Sequence, residues 1–219
     1  MKKPRILVFA SGTPEGGGSG FQELFRASEI GELNAKIVGV VSNHKDGGVR
    51  RRAKALKVPF RHFPGPWDAK GYEWLAKDSH ADFFALSGWL KKVEGLDPKT
   101  KFNSQTVFDI NPGPLPAFGG PGMYGHHVHE AVMQAYQLGE LTHSEVCMHF
   151  VTGEYDRGPV FFRIREKIRP DDTPETLGAR VNKLEHAYQS AITKMVVSGQ
   201  ITWDGIHPES LVVPEGVSR

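Results

Sequence analysis

Four short stretches of this chain combine residue types and spacing that could do chemistry. The first runs Ser11-Gly12-Thr13-Pro14-Glu15-Gly16-Gly17-Gly18-Ser19-Gly20. Glycines let backbone amides approach a ligand closely, and amides beside a helix N-terminus attract an anion such as phosphate. No Gly-Lys-Ser/Thr follows and the dinucleotide fingerprint spacing is absent, so a phosphate site stands beside a merely flexible loop. The second is Asp109-Ile110-Asn111-Pro112-Gly113-Pro114-Leu115-Pro116, where the prolines would hold two polar side chains rigidly at a strand end. A Pro-rich turn with Asp109 and Asn111 capping local amides is the other reading. The third, His149 to Pro159, is an acidic turn in which Asp156 could orient a base or water, or simply be solvated. The fourth is His126, His127 and His129. An acid or base titrating near neutral pH suits one of these better than a metal site, because the His-Glu-x-x-His spacing is missing.

These stretches sit between elements that must position them. Short β-branched and aromatic runs at Arg5–Ala10, Lys36–Ser42, Phe60–Phe63, Phe83–Ser87 and Thr106–Ile110 predict strands. Helical patterns at Phe21–Ile30, Val49–Leu56 and Gly71–Lys77 fall where crossovers belong. That alternation predicts an α/β, Rossmann-like, mainly parallel sheet with helices on both faces. Further on, His126–Leu138 and Thr176–Ser198 predict helices, and Glu145–Val151 and Val160–Ile168 predict strands. The turn Gly153–Gly158 is too short for a crossover, so these last strands are expected to be antiparallel and the sheet mixed. Residues 1–203 are expected to form a single domain, with 204–219 a C-terminal tail.

Bulk composition narrows the function classes. With 27 Lys+Arg against 25 Asp+Glu the formal charge is only +2, which gives no global field for nucleic acid or an anionic membrane. No run approaches the roughly 20 apolar residues of a membrane span. Cys147 is the single cysteine, which leaves no disulfide and no Cys-based zinc site, and its apolar neighbours suggest core packing. The reading is of a cytoplasmic protein acting on small molecules, without nucleic-acid or membrane partners, as monomer or homodimer.

The order of motifs resembles the folate-dependent formyltransferases that act on glycinamide ribonucleotide, over about residues 5–203. The residues carrying it are the Gly-rich loop, Ser42-Asn43, Ser87-Gly88-Trp89-Leu90-Lys91, Asn111-Pro112 with Leu115-Pro116, Asp156 before Gly158-Pro159, and Arg180 through His186. The resemblance implies the formyltransferase fold and transfer of a formyl group from 10-formyltetrahydrofolate to the amine of glycinamide ribonucleotide, in purine biosynthesis. It implies that Gly18, Ser19 and Gly20, with Lys70, hold the ribose phosphate, and that Glu185 lies near the amine. Leu90, Lys91 and Val93 would line the folate pocket and Thr152–Asp156, including Gly153, would cover the pterin; Trp89 could stack there or pack in the core. No metal is expected.

The sequence departs from the family at the reacting centre. Asp109 stands where the family has Asn, and Asn111 where it has the catalytic His. An ionised Asp109 would repel a developing oxyanion, while the Asn111 amide could still donate to it. The segment Gly119–His127 looks longer than its family counterpart, so His126 or His127 is expected to swing into the crevice and replace the imidazole, paired with Asp109 or Asp156. The Gly-rich loop is also longer. Other readings keep the fold: formylation of another amine, such as an amino sugar nucleotide, or non-catalytic binding of folate or nucleotide.

Overall fold

The computed structural model describes residues 2–217. Its centre is a seven-stranded sheet in the order β3-β2-β1-β4-β5-β6-β7. Strands β1 (Arg5–Phe9), β2 (Lys36–Ser42), β3 (Phe60–His62), β4 (Phe83–Ser87) and β5 (Val107–Asn111) are parallel. Strands β6 (His143–Phe150) and β7 (Val160–Lys167) complete it in antiparallel pairing. The mixed, mainly parallel sheet is the one the alternation predicts. Strand ends differ by a residue or two, and one shift matters: Asn111 is the last residue of β5 and not the first beyond it.

Helices cover both faces because each central strand is apolar on both sides. On β1, Ile6 and Val8 face a cluster with Phe21 and Leu24 of α1 (Ser19–Glu29), while Leu7 and Phe9 face one with Tyr72 and Leu75 of the helix at Ala69–Ser79. That helix is α3; α2 spans Gly48–Leu56, α4 His126–Gln137 and α5 Pro174–Val197. Phe84 and Phe108 are at most 1 % exposed, and burying each contributes on the order of 2–3 kcal/mol.

Helix α5 has the strongest start signal in the chain. Thr173 and Thr176 form a reciprocal capping box and Pro174 occupies the first turn. Its residues Asn182, Glu185, His186 and Gln189, spaced i, i+3, i+4, i+7, turn one polar stripe toward the ends of the parallel strands. The segment after α5 folds back: Thr202 bridges Val212, the Trp203 indole donates to the His207 carbonyl, and Leu211, Val213 and Val217 pack on the main core. The tail is therefore docked through residue 217.

Candidate active site

The order of strands reverses between β1 and β4, since the chain leaves β1 toward β2 on one side and β4 toward β5 on the other. Loops at the carboxyl ends of two such strands diverge and open a crevice, the usual ligand site of an open α/β sheet. Here it is a cavity of about 600 Å³ bounded by the Gly-rich loop, residues 86–93, the end of β5, the 120–125 loop, the β6–β7 turn and the polar stripe of α5.

One end of the crevice is formed by the Gly-rich loop and the N-terminus of α1. Gly18 caps α1 in the left-handed region (φ 79°), so the free amides of the first helical turn point out beside it. Gly20 is glycine for want of space: a Cβ there would lie 2.2 Å from Ser87 Oγ and 2.8 Å from Gln189 Oε1. Gln189 in turn donates to Ser87 Oγ at 3.0 Å, and His186 Nε2 lies 3.0 Å from Ser19 Oγ, tying α5 to the loop. The extra length between Gly12 and Gly18 closes on itself, with the Gly16 amide donating to Thr13 Oγ1 at 2.8 Å. The basic helix α2 braces it. Arg51 donates to the carbonyls of Pro14 and Glu15, and Arg52 donates to the Gly17 carbonyl at 3.0 Å and to Gln22. The braced loop keeps Gly18, Ser19 and Gly20 in the crevice.

The middle of the crevice holds an acidic cluster around a buried imidazole. His149, on β6, is 2 % exposed; its Nε2 lies 3.5 Å from Asp156 Oδ1 and 3.9 Å from Asp109 Oδ2. Its Nδ1 donates to the Phe150 carbonyl at 2.8 Å. Asp109 Oδ1 accepts from the Ile110 amide and Asp156 Oδ2 from the Gly120 amide, both at 2.7 Å. Asp156 adopts a left-handed backbone (φ 52°), uncommon for a non-glycine residue though Asp tolerates it better than most. Burial pushes the Asp109 carboxyl up to about 8, against the pull of His149. Burial alone would lower the His149 imidazole, but the two carboxylates outweigh it and raise it above its usual value. The same His149 contact and the Gly120 amide overcome the desolvation of Asp156 and hold it below the ordinary carboxylate range. Across the crevice, burial raises Glu185 to about 7.

The imidazole beside Asp109 and Asp156 is therefore His149, and the expectation for His126 and His127 is overturned. The 120–125 loop does enter the crevice, but α4 begins at His126 and turns both histidines outward. They are exposed, with His126 facing Glu130 and Glu175 and His127 facing Glu130. His129 packs beneath the glycine at 178. Asn111 lines the crevice, but its amide donates to the carbonyls of Gly113 at 3.0 Å and Phe118 at 3.5 Å. Lys70 is exposed on α3 and Gly153 is exposed on its turn; neither lines the crevice. Leu90, Lys91, Val93, Thr152, Asp109, Asp156 and Glu185 do. Lys91 Nζ sits 4.3 Å over the Trp67 ring, and Trp89 is core, 6 % exposed and donating to Tyr72. Cys147 is fully buried, and desolvation pushes its thiol up to about 11, so it is no nucleophile. His149 was legible in the acidic turn and as one of the histidines that match the family, and was ranked below His126 and His127. Arg51 and Arg52 carried no signal beyond a basic helix.

Comparison with known proteins agrees with this geometry. Residues 4–193 match the family described as formyl transferase. A chloroplastic phosphoribosylglycinamide formyltransferase of Arabidopsis thaliana is 31 % identical across 94 % of this chain and 70 % of its own length. The phosphoribosylglycinamide formyltransferase of Bacillus subtilis is 28 % identical across 90 % of this chain and 95 % of its own. The crystal structure of glycinamide ribonucleotide transformylase 1 from Geobacillus kaustophilus superposes with a TM-score of 0.73 at 28 % identity, covering 89 % of this chain and 99 % of that one. The matched span covers the Gly-rich loop, all seven strands and most of α5, and the chain belongs to the formyl transferase family.

Proposed function

We propose that the protein transfers the formyl group of 10-formyltetrahydrofolate to the amine of glycinamide ribonucleotide, a step in purine biosynthesis. The observation that carries this reading is that a single crevice of about 600 Å³ joins an anion-binding loop to an acidic cluster and then to an apolar wall. In this reading the ribonucleotide phosphate sits on the amides of Gly18, Ser19 and Gly20 at the α1 N-terminus, with Arg52 behind the loop. The folate lies against Leu90 and Val93, beneath the turn from Thr152 to Asp156. Glu185, on the facing helix, receives the amine.

The amine nitrogen bonds to the formyl carbon, the bond from that carbon to the folate nitrogen breaks, and a proton passes from the amine to the departing nitrogen. Between the two substrate ends stand Asp109, His149 and Asp156, to which the polarising and proton-handling work falls. Fixed polar groups around a developing oxyanion typically contribute about 3 kcal/mol each. Substrates of this kind are soluble, and the reading keeps the protein in the cytoplasm; among the described residues no helix is long and apolar enough to cross a membrane.

The test follows release of the folate product by purified protein with and without glycinamide ribonucleotide. Release that depends on the amine is the expected result. Folate binding without release would replace the transferase reading with a binding protein, and release without amine would make the protein a hydrolase of the donor.

A further inference from the structure

Asp109, His149 and Asp156 come from β5, β6 and the β6–β7 turn, and each is anchored by the atom that faces away from the other two. Asp109 Oδ1 is held by the Ile110 amide, Asp156 Oδ2 by the Gly120 amide and His149 Nδ1 by the Phe150 carbonyl. The remaining atoms, Asp109 Oδ2, His149 Nε2 and Asp156 Oδ1, face one another within 4.8 Å. A carbonyl can only accept, so Nδ1 carries the hydrogen in the neutral ring and the lone pair is on Nε2. That nitrogen is buried, in a ring 2 % exposed, and has no hydrogen-bond partner. From this arrangement we infer that Asp109, His149 and Asp156 form a three-ligand site for a divalent first-row transition-metal ion, Zn²⁺ or Mn²⁺ in character, whose open positions face the crevice.

The separations suit it. Ligand atoms around one such ion stand roughly 3.0–3.5 Å apart, and Nε2 is 3.5 Å from one oxygen and 3.9 Å from the other, so a small side-chain rotation closes the set. An imidazole with its second nitrogen on a backbone carbonyl is the arrangement that orients metal-binding histidines. Three protein ligands with an open position is also the pattern of catalytic ions. The Asn111 amide is taken up by two carbonyls and His126 and His127 lie outside the crevice, which leaves the formyl oxygen to the groups of this cluster. An ion held here would place positive charge near that oxygen. This catalytic role rests on the formyl-transfer reading; the binding site does not.

The experiment is calorimetric titration of chelator-stripped protein with Zn²⁺ and, separately, Mn²⁺, alongside thermal melts with and without the ion. One site per chain is expected, with affinity reduced about 100-fold or more in Asp109→Asn and His149→Gln, and unchanged in the His126→Ala/His127→Ala double variant. Saturating ion should raise the melting temperature of the parent protein but not of Asp109→Asn. No saturable uptake would overturn the site, as would uptake that survives Asp109→Asn and disappears with the two surface histidines. Uptake without amine-dependent formyl transfer would leave the site standing and sink the transferase reading. Transfer by metal-free protein that takes up no ion would do the reverse.

Discussion

The two halves of the crevice solve different problems. At the anion end the residues are interchangeable in kind: backbone amides, glycines without Cβ atoms and arginines that grip carbonyls. Helix α2 braces that loop through Arg51 and Arg52. At the reacting end three particular side chains are each fixed by a backbone partner, and a change at one position alters what the others can do. The lesson is that a backbone-built site depends on chain path more than on residue identity, whereas a side-chain-built site depends on each residue that forms it.

The largest effect expected from breaking this contrast is at Asp156. Asp156→Asn keeps the shape and the left-handed turn but removes the charge facing His149, and kcat should fall by about 10³-fold or more with little change in melting temperature. A loss below tenfold would move the reacting centre elsewhere. At the anion end, Arg52→Ala loosens the loop without touching the chemistry. A rise of about tenfold in KM for the ribonucleotide, kcat being nearly constant, is expected from steady-state kinetics.

Glu185 lies between the two halves and sharpens the comparison through pH. Its pKa is raised from 4.5 to about 7 by burial, so its neutral form suits the folded state and its charge is a strain. The stability linked to this group is fully present below about pH 4.5 and is lost as pH rises toward 7. Denaturant melts should show Glu185→Gln gaining on the parent protein over that window, on the order of 2 kcal/mol by pH 7, while its KM for the amine substrate rises. The smallest effect belongs to His126 and His127. Their double alanine variant should retain turnover within about twofold, because both face solvent and glutamates.

Much of this molecule was legible in its sequence, and the missing parts have physical causes. The alternation of strands and helices, the antiparallel final hairpin and the place of the Gly-rich loop follow from periodicity and turn chemistry, which are local. What misled was orientation. His126 and His127 lie next to a loop that does reach the crevice, yet the helix beginning at His126 sets their direction. His149 is separated from Asp109 by 40 positions and meets it only because β5 and β6 pair in register, Asp109 opposite His149. Asn111 looked like a free donor, because its partners, the carbonyls of Gly113 and Phe118, depend on how the Pro-rich segment folds back. The polar stripe Asn182, Glu185, His186, Gln189 is visible as helical spacing, although only Glu185 drew notice.

The most direct test of the central claim is single-turnover release of folate product from 10-formyltetrahydrofolate by the parent protein and by Asp156→Asn, each with glycinamide ribonucleotide present and absent. The account predicts release only by the parent protein and only with the amine. Equal release by Asp156→Asn, or none by the parent under any condition, would contradict it.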